Sequence, residues 1–183
     1  MVVFGIGIND ASGPNFDTAI FRSRYLRLID SVRAVNPDCA FVFITNNDSY
    51  KAVRGRRRRK RYVVNTNGAE ARKVFYQLAN ETQGAVWDQF EIMGGLGSME
   101  QWCKARLAQR DHVHFTIGGY QILGTMLGDA IIEAANCPIS NYNIKHSRPN
   151  KTKEGNACYT TTPTATTTHP VRHKEPKAPF VRY

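Results

Sequence analysis

Three short runs of large apolar residues stand out along the chain: VVFGIGI at 2–8, CAFVFIT at 39–45 and GAVWD at 84–88. Each is rich in Val, Ile or Phe, unbroken rather than alternating, and bounded by polar or turn-forming residues. That is how strands buried on both faces of a parallel sheet read. Between the first two runs the period changes. Phe21, Tyr25, Leu28, Val32 and Val35 recur every three or four residues, the spacing of one helical face. Asp17 is placed to accept the orphan N–H groups at the start of this helix, and Pro37 to stop it. The same spacing predicts a helix over 69–82, with Asn67 as cap and Ala71, Val74, Phe75 and Leu78 inside. A third is predicted over 117–135, with Thr116 as cap and Leu123, Met126, Leu127, Ala130 and Ile131 inside.

Strand and helix alternating three times is the α/β order, a three-layer arrangement with helices on both faces of a parallel sheet. Ligands of such sheets gather beyond the carboxyl ends of the strands. Two polar motifs fall there: GIND at 7–10, directly after the first strand, and RDHVHFT at 110–116, just ahead of the last helix. From residue 136 the character changes. TTTPTATTTHP and its Lys- and Pro-rich surroundings have few large apolar groups and no period, so 136–183 is expected to be a disordered basic tail behind a domain at 1–135.

Composition narrows this further. The net charge of +10 is concentrated: residues 54–61, RGRRRRKR, hold seven of the 25 basic residues and 136–183 hold eight, so the rest of the chain is mildly acidic. The run at 54–61 is expected to be a solvated loop between the second strand and the next helix. Binding of nucleic acid or another polyanion through counterion release is the alternative, although no aromatic interleaving supports specific reading. Cys39, Cys103, Cys137 and Cys158 are widely spaced, without the grouping of a metal site, and are read as ordinary thiols. No stretch is long and apolar enough to cross a bilayer, and the first residues lack the basic-then-apolar pattern of a signal peptide.

Asp111 and His114, three residues apart on one short loop, raise the question of whether they are part of a catalytic triad. Taken alone the pair could equally be a turn cap and a surface histidine, and Asn9 and Asp10 could be turn formers at a strand end. Taken together, FGIGINDAS and, about a hundred residues later, RDHVHFT resemble the third and fifth sequence blocks of the SGNH (GDSL-type) hydrolases, a superfamily of serine esterases and acylhydrolases. FVFITNND, GAVWDQFEIMGGLGSMEQW and QILGTMLGDAII resemble bacterial, Bacteroides-like members, and the resemblance covers roughly 2–135.

The resemblance implies a flavodoxin-like fold and hydrolysis of an ester, such as an acetyl group on a carbohydrate, with no metal or organic cofactor. His114 would be the general base toward a serine hydroxyl, and Asp111 would orient it. Asn9 would donate its amide to the oxyanion, and Gly7 would keep that turn open. Asp10, Ser98 and Trp102 are candidates for the substrate pocket, whereas His112 is expected to point into solvent. The family's serine lies in a block ahead of the GxND element, and no GDS-type block is present here. The expectation is therefore a domain without its first strand, first helix and nucleophile, inactive by itself, with an exposed apolar edge. Ser12 or Ser98 replacing the nucleophile is a second reading. A non-catalytic carbohydrate- or polyanion-binding protein is the third, and any compartment, periplasmic or secreted, stays open.

Overall fold

A computed structural model describes residues 1–54, 60–136 and, for the backbone alone, 180–182. Three strands form the expected parallel core. β1 (Val2–Phe4) pairs with β2 (Phe41–Ile44), and β2 with β5 (Ala85–Trp87), so each successive strand adds to the same side of the last. The fourth strand of this sheet, β6 (Phe180–Arg182), runs antiparallel beside β5. Those three residues fall within the stretch expected to be a disordered tail. The remainder of 137–183 lies outside the described residues.

Side chains alternate across a strand, and here they divide the interior into two cores. Phe41 and Phe43 of β2 and Val86 of β5 face α1 (Thr18–Val35) and α2 (Asn67–Thr82), where they meet Phe21, Tyr25 and Phe75. Phe43 and Phe75 are fully buried, and Phe4 stacks on Phe43 with ring centroids 5.5 Å apart. Ile44 and Trp87 face the other way, toward Met93, Met99, Phe115 and Leu123. That second core is covered by α3 (Gln89–Ile92), α4 (Met99–Lys104) and α5 (Ile117–Asn136). Helices thus flank the sheet on both faces, as the α/β reading requires.

The caps follow side-chain chemistry closely at two of the three long helices. Asp17 Oδ1 accepts from the N–H groups of Ala19 and Ile20, and Thr116 Oγ1 accepts from Gly119 N. Helix α2 starts earlier than expected, because Asn65 Oδ1, not Asn67, accepts the first orphan N–H, that of Asn67 itself. The buried face of α1 is also narrower than its periodicity suggests. Ile29 is buried there, while Leu28 and Val35 are exposed together with Ile20. β1 pairs on one side only among the described residues, and Val3 and Ile6 beside it are exposed as well.

The largest departure lies at 50–64. β3 (Tyr50–Arg54) and β4 (Lys60–Val64) make an antiparallel hairpin where a solvated loop was expected, with the arginine-rich tip at 55–59 outside the described residues. Its strands, YKAVR and KRYVV, mix Tyr, Ala and Val with Lys and Arg without a two-residue period, so the stretch reads in sequence as a charge run.

Candidate active site

Loop 108–116 is closed at its base by an antiparallel bridge between Ala108 and Phe115, both buried in the second core. Gln109 N donates to His114 O at 2.7 Å, and Gln109 Nε2 to Phe115 O at 3.2 Å, so the loop is braced from within. At its tip Asp111 does two jobs. Its Oδ1 accepts the backbone N–H groups of Val113 (2.9 Å) and His114 (3.0 Å), which is an Asx turn, while Oδ2 accepts from His114 Nδ1 at 2.7 Å. Partial burial pushes the Asp111 carboxyl up, but the His114 side-chain bond and the two N–H donors outweigh it and hold the group below its ordinary value. With Nδ1–H committed to a carboxylate, His114 presents Nε2 as an acceptor. That nitrogen has no partner among the described residues, and the side chain is 62% exposed.

The GIND segment turns sharply after β1. Ala11 N donates to Gly7 O at 3.0 Å, and a one-turn 3₁₀ segment, Asp10–Ser12, follows. Gly7 has φ +115°, and a Cβ there would lie 2.9 Å from Phe21 Cζ and 3.0 Å from the Tyr25 hydroxyl. Its absent side chain therefore serves backbone conformation and packing against α1, not an open approach for a ligand. Asn9 is exposed, and its side-chain amide is without a hydrogen bond among the described residues, so it is free to donate.

The dyad loop is tied to the segment that leaves β2, and the Asn9 turn to the segment that leaves β4. Asn47 Nδ2 donates to Val113 O (3.0 Å), and Tyr50 N to His112 O (3.0 Å), which anchors the dyad loop. Asn65 Nδ2 donates to Ala11 O (3.1 Å), and Asn67 Nδ2 to Gly13 O (3.0 Å), which anchors the Asn9 turn. Asn65 also donates to Ser49 Oγ, so the two anchors are themselves joined. Asp48, fully buried between them, accepts the N–H of Met99 at 2.9 Å, and burial pushes its carboxyl above the ordinary value despite backbone donors from Met99, Gly97 and Ser49. A second buried carboxylate, Asp88 after β5, accepts from Thr45 Oγ1, Arg72 Nε and Tyr76 OH. These Asn and Asp residues of NNDS and NTN read as turn formers, and nothing in a single sequence marks them as the brackets of a site.

Other expected site residues sit differently. Asp10 turns toward α1 and pairs with Arg24. Ser98 Oγ is buried without a hydrogen-bond partner, packed under Gly94, so it is not presented to His114. Ser12 Oγ donates to Ile8 O at 2.6 Å. Trp102 donates Nε1 to Met93 O and meets Phe115 edge-on, which makes it a brace between α4 and the end of α3. His112 does not point into solvent. It is clasped by Tyr62 and Tyr50, with ring centroids 4.5 and 5.2 Å away, and its Nε2 lies 3.1 Å from Glu100 Oε2. That hydrogen bond comes first among the effects that hold Glu100 below its ordinary value. Among the described residues no three His, Cys, Asp or Glu side chains converge as a metal site would require, and Cys39 and Cys103 are free thiols.

No protein-family model matches the chain, and no curated protein sequence matches it. Among solved structures it is similar to one described as "Peptidoglycan O-acetylesterase in action, 5 min", with a TM-score of 0.63 and 26% identity. The match covers 73% of this chain and 37% of that one, so the chain spans little more than a third of the esterase it resembles. The likeness relates its mixed α/β fold, with a parallel sheet flanked by helices, to that of an esterase.

Proposed function

We propose that this chain carries the base and oxyanion-donor part of an SGNH-type ester hydrolase acting on O-acylated carbohydrate. The observation that carries the reading is the 2.7 Å bond between Asp111 and His114 at the carboxyl end of the sheet, with Nε2 left free. Nε2 takes a proton from an attacking hydroxyl and returns it to the leaving alcohol, while Asp111 stabilises the imidazolium formed between those steps. The free amide of Asn9 donates to the oxygen that becomes negative in the tetrahedral intermediate. Likeness to a peptidoglycan O-acetylesterase supports an acetyl ester on a carbohydrate as the substrate class.

The attacking hydroxyl is a serine in this chemistry, and neither Ser12 nor Ser98 is directed at His114. The outer side of β1, unpaired among the described residues, with Val3, Ile6, Ile20 and Leu28 exposed on it and on α1, supports a further strand and helix completing the sheet and bringing the serine. The test is hydrolysis of p-nitrophenyl acetate by the purified chain beside His114→Ala, with intact mass measured after fluorophosphonate treatment. Any turnover is expected to depend on His114, and a single adduct would place the nucleophile inside these residues. Absence of both in folded protein would mean that this chain alone is not an esterase. Turnover that survives His114→Ala would overturn the reading.

A further inference from the structure

We propose that the β3–β4 hairpin is a recognition arm of this site, holding acidic groups of a polysaccharide whose ester is presented to the dyad; the substrate part of this rests on the ester-hydrolase reading. Directly opposed residues of an antiparallel pair project on the same face. The register sets Tyr50 against Val64, Ala52 against Tyr62 and Arg54 against Lys60, so both tyrosines and both cations share one face. That is the face on which His112 is clasped. Arg54 and Lys60 stand two residues beyond Ala52 and Tyr62, about 7 Å further along the strands.

Two like charges directly opposed across strands repel. Some cations elsewhere are paired within the fold, as Arg22 is with Glu81 and Arg72 with Asp88. Arg54 and Lys60 make no ion pair among the described residues, and neither hairpin strand contains an acidic residue. An anion seated between them relieves the repulsion. A carboxylate-bearing glycan fits better than nucleic acid, because base stacking needs open aromatic faces. The two tyrosines of this face are already occupied by His112.

His112 keeps the arm in register with the chemistry. It sits in the left-handed region at φ +59°, its carbonyl accepts Tyr50 N, and its ring is bonded to Glu100, two positions before His114. A polymer held by the arm is thereby placed against the dyad.

The experiment measures binding of the full chain to polygalacturonate, with neutral dextran and single-stranded DNA as comparison probes, while histidine imidazole resonances are followed by NMR. We expect salt-dependent binding to polygalacturonate and none to dextran. The Arg54→Gln/Lys60→Gln variant should bind at least about fivefold more weakly, since exposed ion contacts contribute modestly each. Its thermal midpoint should be unchanged or higher, which separates lost recognition from lost folding. The polymer should shift the His114 resonances. Undiminished binding by the double variant, equal affinity for DNA at matched charge, or no response at His114 would each overturn the arm. If binding stands while ester turnover survives His114→Ala, the ester-hydrolase reading falls and the anion-binding surface remains.

Discussion

Replacing Gly7 by alanine should destabilise the domain far more than the same change at Gly5, two residues earlier. At Gly5 an added Cβ meets only Ile44 Cδ1 at 3.6 Å, an ordinary contact. There alanine restricts the unfolded chain and is worth about 0.4–1 kcal/mol in favour of folding where the backbone tolerates it. At Gly7 the backbone has φ +115°, and the Cβ would lie within 3.1 Å of two Phe21 ring atoms and the Tyr25 hydroxyl. The left-handed backbone costs an L-residue roughly 1–2 kcal/mol. Overpacking a well-filled core adds about 1–3 kcal/mol. Neither aromatic can retreat, because Phe21 and Tyr25 are buried against each other and Phe75. Net of the unfolded-state gain, Gly7→Ala should cost about 2–4 kcal/mol. With a urea slope of about 1–3 kcal/mol per M, the midpoint falls by on the order of 1–2 M. Urea unfolding of the parent and both variants, followed by tryptophan fluorescence, makes the comparison. If Gly7→Ala lies within about 0.5 kcal/mol of Gly5→Ala, the scale of an ordinary surface change, the tight turn that carries Asn9 is not built as described.

Asp88→Ala should cost about 3 kcal/mol in thermal or urea unfolding, the low end for breaking a buried pair, because Arg72 keeps a third of its side chain in water. Phe43→Ala, at a fully buried position stacked on Phe4, should cost about 3–5 kcal/mol by the same assay. Asp48 has a raised carboxyl, so the stability it contributes is present below the unfolded carboxylate value and lost as pH rises through its folded value. Asp48→Asn should therefore lose less stability than the parent between pH 4 and 7, read as the difference between the two urea midpoints at each pH. Asp111 runs the opposite way: its depressed carboxyl favours the fold above the unfolded value, and that contribution disappears as pH falls through the folded one. Asp111→Asn should remove this acid-side slope, and its effect should be small because the group is 43% exposed.

The parallel core and the long helices were legible in sequence because buried strands and amphipathic helices impose their periods directly, as at Phe41 to Ile44 and at Phe21, Tyr25 and Val74. The pairing of Asp111 with His114 was legible for a local reason: residues three apart on one turn are neighbours whatever the rest of the fold does. What escaped notice depends on distant partners. The hairpin is short, dominated by charge and without a two-residue apolar period, so it carried little strand signal. Trp102, Ser98 and Asp10 gave no sign of which way they face, since that is decided by Met93, Gly94 and Arg24 across the fold. His112 looked like a bystander because its partners, Glu100, Tyr50 and Tyr62, come from three separate elements.

The account turns on Asp111 fixing His114 with its proton on Nδ1 and Nε2 open as the base. Nitrogen-15 NMR of the histidine imidazoles, in the parent and in Asp111→Ala, reads that directly. The neutral His114 ring should be the Nδ1–H tautomer in the parent and should shift toward Nε2–H when the carboxylate is removed. A parent His114 that is already Nε2–H, unchanged by Asp111→Ala, would contradict the dyad and with it the assignment of the base.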